Sequence, residues 1–293
     1  MPSASTIADP TTVLSPPSVL ERQGCRLHYW TAGPKTRPWI ALTHGFTMDH
    51  RLFETQVAVL ARDWRVLVWD VRGHGLSKPI GEGFSVGIAA ADLLALLDHV
   101  GADQAALVGH SMGGYVAQEI EFRYPKRVAA LAMISSTCLT FEQPAALTLG
   151  APFTQAALRF CPEDMYHRSV GEIAGVSDSV RAYAEHASRQ VSRADRERIW
   201  AGILGSYHYE PGYRIRCPLL LMHGDHDYQV AFGLIKLLAP RWIEREVGCR
   251  HAIIPRAGHN ANQDNPEFVN RMLLEFLREA YPAVPAAVEG AAE

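Results

Sequence analysis

The sequence predicts an α/β fold: a mostly parallel central sheet of about eight strands, flanked by helices and interrupted by a helical cap insertion. Three observations predict it. Short, nearly all-apolar runs bounded by Gly, Pro or Asp alternate with helix-period segments, the pattern of parallel strands buried on both faces. That alternation stops after Ser136 and resumes near Cys217. A chain of 293 residues, 48% hydrophobic and 20% charged, can also bury a large core without metal or disulfides.

The elements follow in order. Residues 1–18 are rich in Ser, Thr and Pro, lack a basic start and a long apolar run, and read as a flexible leader. Strands are expected at Arg26–Trp30, Trp39–Thr43, Val66–Trp69, Ala105–Val108, Ala129–Ile134, Leu219–Met222 and Ala252–Ile254. Leu52, Val57 and Leu60 mark a first helix, and Ala89, Leu93, Leu96, Leu97 and Val100 a second. Val116, Ile120 and Phe122 mark a third, and Phe268, Met272, Leu273, Phe276 and Leu277 the last. The core is therefore expected over 19–136 and 210–281. Residues 137–209 form the cap, as helical pieces punctuated by Pro144, Pro152 and Pro162, and 282–293 form a flexible tail.

Charge and composition narrow the function. With 28 Lys+Arg against 31 Asp+Glu the net charge is −3. The isoelectric point near 6.5 argues against a nucleic-acid partner. No window approaches the roughly 18 apolar residues of a membrane span. Five scattered cysteines without a CxxC (Cys25, Cys138, Cys161, Cys217, Cys249) read as the reduced thiols of a cytoplasmic protein. The expected partner is a small-molecule substrate, and the expected assembly a monomer or homodimer.

The decisive segment is AALVGHSMGGYVAQEIEFRY, residues 105–124. It gives a strand, then Gly109-His110-Ser111-Met112-Gly113, then a helix: a G-x-S-x-G turn in the context that gives the pattern meaning. Small residues flank Ser111 because larger ones would clash where strand and helix cross. Its hydroxyl is then expected above the sheet edge at a helix N-terminus, where developing negative charge is favoured. Met112 can offer a backbone N–H to an oxyanion. His110, pointing away, reads as structural.

A serine is a weak nucleophile and needs a base oriented by an acid. After Ser111, a strand and polar turn carry Asp225 and Asp227, and a later strand and turn carry His259. Both turns leave carboxyl ends of strands, where open α/β sheets place their sites. The run His223-Gly224-Asp225-His226-Asp227 also invites a metal reading, but an extended turn splays these side chains apart. His251 starts a strand. His44 and His74 lie in loops near the site whose role is backbone shape.

Together these segments resemble the α/β-hydrolase superfamily over about residues 20–280. Thr43-His44-Gly45-Phe46 is similar to its His-Gly oxyanion loop, and Asp70-Val71-Arg72-Gly73-His74-Gly75-Leu76-Ser77 to its D-x-R-G-x-G-x-S turn. Gly258-His259 followed by Asn265-Pro266-Glu267-Phe268 resembles its histidine loop and final helix. The family's Gly-x-x-Asp spacing selects Asp227 from Gly224, with Asp225 the alternative and Asp264 a distant third.

The resemblance implies hydrolysis of a small to medium carboxylic ester or lactone by a Ser111–His259–Asp227 triad. Phe46 and Met112 would form the oxyanion hole, and neither cofactor nor metal is needed. Met48 and Phe141 lie in loops placed to line the pocket, and Phe153, Phe160, Trp200 and Tyr207 of the insertion would roof it. Relatives with an aspartate nucleophile, the epoxide hydrolases and haloalkane dehalogenases, are excluded by Ser111. Cofactor-free perhydrolases, carbon–carbon bond hydrolases and slow-turnover ligand receptors of the same fold are the alternatives.

Overall fold

The computed structural model of the chain describes residues 14–142, 145–227 and 234–283. Its strands are β1 (Ser18–Arg22), β2 (Cys25–Ala32), β3 (Trp39–Thr43), β4 (Arg65–Trp69), β5 (Ala105–His110), β6 (Val128–Ile134), β7 (Leu219–Gly224) and β8 (Arg250–Ile254). They form one sheet ordered β1-β2-β4-β3-β5-β6-β7-β8. β2 runs antiparallel to β1 and β4, and every other pairing is parallel.

Continuous apolar runs form these strands because each feeds two cores. In β5, Leu107 packs on one face while Ala106 and Val108 pack on the other; in β7, Leu221 opposes Leu220 and Met222 in the same way. Between β3 and β4 lies α1 (Glu54–Leu60), and α2 (Val86–His99) leads to β5. The Ser85 hydroxyl accepts the Ile88 N–H and caps α2. α3 (Met112–Arg123) follows β5. Leu93, Leu96 and Leu97 of α2 and Val116 and Ile120 of α3 cover one face. Burying each such side chain is worth about 1.5–3 kcal/mol.

Four helices separate β6 from β7: α4 (Ala145–Phe160), α5 (Glu163–Ala174), α6 (Asp178–Ser188) and α7 (Arg193–Leu204). α8 (Leu234–Arg245) precedes β8, and the short α9 (Ala261–Asp264) precedes α10 (Pro266–Ala280). α10 and α1 cover the second face through Leu273, Phe276, Leu277, Val57 and Leu60.

Three expectations need correction. The leader does not run through residue 18: the Ser15 N–H reaches the Thr31 carbonyl at 2.8 Å, and β1 begins at Ser18. β1 has no counterpart among the expected strands, because SVLER is a half-exposed edge strand without an apolar run. Pro152 lies inside α4 rather than ending it. Ala283 still packs against the core, while residues 1–13, Pro144 and 284–293 of the tail lie outside the described residues.

Candidate active site

Ser111 closes β5 and opens α3 with φ 49° and ψ −115°. This region is unfavourable for any side chain and costs about 1–3 kcal/mol. The surroundings enforce it. Ser111 N–H donates to the Ile134 carbonyl at 2.9 Å. A Cβ on Gly113 would stand 2.0 Å from the Thr43 carbonyl oxygen, and one on Gly109 would stand 2.4 Å from that of Gly113. Only glycines let the elbow cross its neighbours this closely. Met112 is the first residue of α3, so its N–H belongs to the turn that lacks intrahelical acceptors.

The loop after β3 lies directly against this elbow. A Cβ on Gly45 would stand 2.6 Å from His110 Nδ1 and 3.1 Å from Ser111 Cβ. His44 fixes the loop: its Nε2 accepts the Val71 N–H at 2.9 Å, so its Nδ1 carries the proton donated to the Gly45 carbonyl at 2.8 Å. Burial pushes the His44 pKa down and keeps the ring neutral. The Asp70–Ser77 turn braces the loop from behind. The Asp70 carboxylate accepts the N–H groups of His50 and Leu76, and buried Arg72 pairs with buried Asp92 through two bonds.

Asp227 follows β7 and is 1% exposed. Its carboxylate faces His259 Nδ1 at 3.1 and 3.2 Å. Burial alone would raise the Asp227 pKa, but the adjacent His259 outweighs it and holds the carboxyl below its usual value. His259 and Ser111 share no direct hydrogen bond. Both side chains front one cavity of about 70 Å³.

The histidine loop is held bond by bond. Asp225 accepts the N–H groups of Arg256 and Ala257, Asp264 accepts that of Gly258, and Asn260 N–H reaches the Ala174 carbonyl. His110 Nε2 donates to the His259 carbonyl at 2.9 Å. Burial pushes the His110 pKa down to about 3, so the ring is a neutral donor. Asp225 is thus spent on the backbone of the next loop and on His226, and His223 faces His251 instead of joining a ligand set. Among the described residues no group of three or more His, Cys, Asp or Glu could hold a metal ion.

The cavity wall differs from the expected one. Phe46, Met112, Trp200 and Tyr207 line it, together with Ile203, Leu204 and Ile235. Met48 does not: it is buried in the core, with Asn260 Nδ2 at 3.3 Å from its sulfur. Phe141 packs under the Arg245 guanidinium at 4.5 Å, a cation–π contact away from the cavity. Phe153 points outward, 79% exposed, and Phe160 is exposed as well. Sequence reasoning missed Tyr115, Ser135 and Thr137, which complete the wall. Tyr115 carried a usable signal, one helical turn after Ser111 and so on the same face of α3.

Comparison with known proteins agrees with this architecture. The model of the alpha/beta hydrolase family matches residues 40–272. Epoxide hydrolase 4 of Homo sapiens is 25% identical, the match covering 92% of this chain and 82% of that protein. Two solved structures are similar at 22% identity. They are a thermophilic esterase from Thermogutta terrifontis (TM-score 0.78, 91% of this chain and 100% of that one) and an enol-lactonase from Burkholderia xenovorans (TM-score 0.77, 89% and 99%). At that identity the two structures speak for the fold alone. The family match spans most of the chain, from β3 into α10, and on it the chain belongs to the α/β-hydrolase family.

Proposed function

We propose that this hydrolase cleaves a small to medium carboxylic ester or lactone through an acyl-enzyme on Ser111. His259 takes the Ser111 proton as Oγ attacks the acyl carbonyl, then returns it to the departing alkoxide. Asp227 holds the imidazole in one tautomer and stabilises its cation. The N–H groups of Phe46 and Met112 stabilise the oxyanion, each such donor typically worth about 10²–10³ in rate. Water then attacks the acyl carbon by the same route and releases the acid. The cavity of about 70 Å³ favours a small acyl part.

One observation carries the reading: a strained serine fronting the same cavity as a His259–Asp227 pair. It also weighs against the activity named for the human relative. Opening an epoxide with a serine hydroxyl would leave a hydroxyalkyl ether, which offers water no acyl carbon to attack. An ester of Ser111 is hydrolysable; that ether is not.

The test is steady-state turnover of a short p-nitrophenyl ester by wild type and Ser111→Ala. The expected loss in kcat is at least about 10³-fold. Equal rates would overturn the assignment.

A further inference from the structure

The cavity wall carries a cluster of three hydroxyls, from Tyr115, Thr137 and Tyr207, that the proposed chemistry does not use. Tyr115 OH lies 2.7 Å from Thr137 Oγ1 and 2.6 Å from Tyr207 OH, and the third side of the triangle, Thr137 to Tyr207, is 3.4 Å. They come from three separate elements: α3, the chain just after β6, and the chain just after α7. All three residues line the cavity together with the apolar Ile203 and Leu204 and with Trp200, whose indole N–H is buried without a hydrogen-bond partner.

Proton counting shows what this triangle lacks. Three hydroxyl protons share two short contacts, so one of the three is left over whichever way the bonds run. Within the triangle it has at best the 3.4 Å contact, at the weak limit of a hydrogen bond. The cluster therefore has one poorly used donor and spare lone pairs. Its complement is a ligand oxygen that accepts one hydrogen bond, or a hydroxyl that also gives one back. A carboxylate fits badly: among the described residues no Lys or Arg lines the cavity, and Asp227 brings a negative charge.

We infer that Tyr115, Thr137 and Tyr207 form a subsite for an uncharged oxygen, hydroxyl or keto, carried by the substrate away from its scissile carbonyl. The inference rests on the ester or lactone reading above and narrows it to oxygenated acyl or alcohol groups. A site built to hydrogen-bond a substrate oxygen rejects the analogue lacking it, because its own buried polar groups are then left underused.

The test uses matched p-nitrophenyl esters: 3-hydroxybutyrate against butyrate, and 5-oxohexanoate against hexanoate. Wild type is expected to favour the oxygenated member of at least one pair in kcat/KM by about tenfold, the scale of one neutral hydrogen bond. That preference is expected to collapse towards one in Tyr207→Phe and in Tyr115→Phe. Equal losses on both members of each pair would mark the triangle as a structural rivet between core and insertion and overturn the inference. So would a wild type without preference in either pair. Calorimetric binding of the same esters to Ser111→Ala, with and without Tyr207→Phe, reads the subsite independently of turnover. A preference seen there without wild-type hydrolysis would sink the esterase reading alone, and equal affinities would sink the subsite.

Discussion

Asp225 and Asp227 share one turn, yet their surroundings give them different work. Asp227 is buried and faces His259 Nδ1, whereas Asp225 is partly exposed and binds backbone N–H groups of the next loop. Partial burial would raise the Asp225 pKa, but Ala257, Arg256 and His226 outweigh it and bring the carboxyl down to about 2. A depressed carboxyl stabilises the fold above its ordinary pKa and loses that contribution as pH falls through the native value. Asp225→Asn is therefore expected to lower the melting temperature at pH 7, with the gap to wild type closing between pH 4 and about 2. Its kcat should stay within a few-fold. Asp227→Asn should instead lose about 10⁴ in kcat, the scale of a triad whose imidazole is held in the wrong tautomer. Comparable kcat losses in the two variants would contradict this division. The family resemblance singled out Asp227 by its spacing to Gly224, and the structure places that carboxylate against His259, but the contacts of Asp225 were not legible, because its partners Arg256 and Ala257 arrive only through the β7–β8 pairing. Pocket side chains were less legible still. Met48, Phe141 and Phe153 have the right chemistry, and nothing in a local pattern says which way a loop or surface helix turns them.

At the scale of elements, the histidine loop is a junction rather than a free turn. The Asp264 carboxylate accepts Gly258 N–H together with Val176 N–H, Ser177 N–H and the Ser177 hydroxyl, tying α9 and the loop to the α5–α6 turn of the insertion. The insertion reaches the loop after β3 as well, through Tyr183 and Gln190 on Asp49. Both halves of the proposed machinery thus lean on the same helices. Asp264→Ala leaves four donors without their acceptor. It is expected to cost about 1–2 kcal/mol in urea unfolding, because water reaches three of the four donors, and to lower kcat about tenfold with a smaller change in KM, since it displaces the imidazole rather than the pocket. An unchanged kcat in a destabilised variant would show that the strut holds the fold and not the imidazole. The existence of the helical insertion was legible from the lapse in strand–helix alternation after Ser136. Its bracing role was not, because the bonds run from backbone groups whose partners lie far away in sequence.

For the whole molecule, the β5–α3 elbow occupies the middle of the sheet, and the turns after β3, β6, β7 and β8 converge on it. The order of the parallel strands brings together residues as distant as Phe46, Ser111, Asp227 and His259. This architecture was legible because strands buried on both faces must be nearly all apolar, as Trp39–Thr43 and Ala105–Val108 are. The edge strand β1 escaped notice because only one side of it meets the sheet. Among the described residues no helix is long and apolar enough to cross a membrane. The proposed reaction depends on one hydroxyl becoming covalently loaded. Peptide mass mapping after treatment with a p-nitrophenyl alkylphosphonate tests that directly. The expected result is one stoichiometric adduct on Ser111, appearing in step with loss of esterase activity. Full activity with Ser111 unmodified, or inactivation tracking an adduct elsewhere, would contradict it.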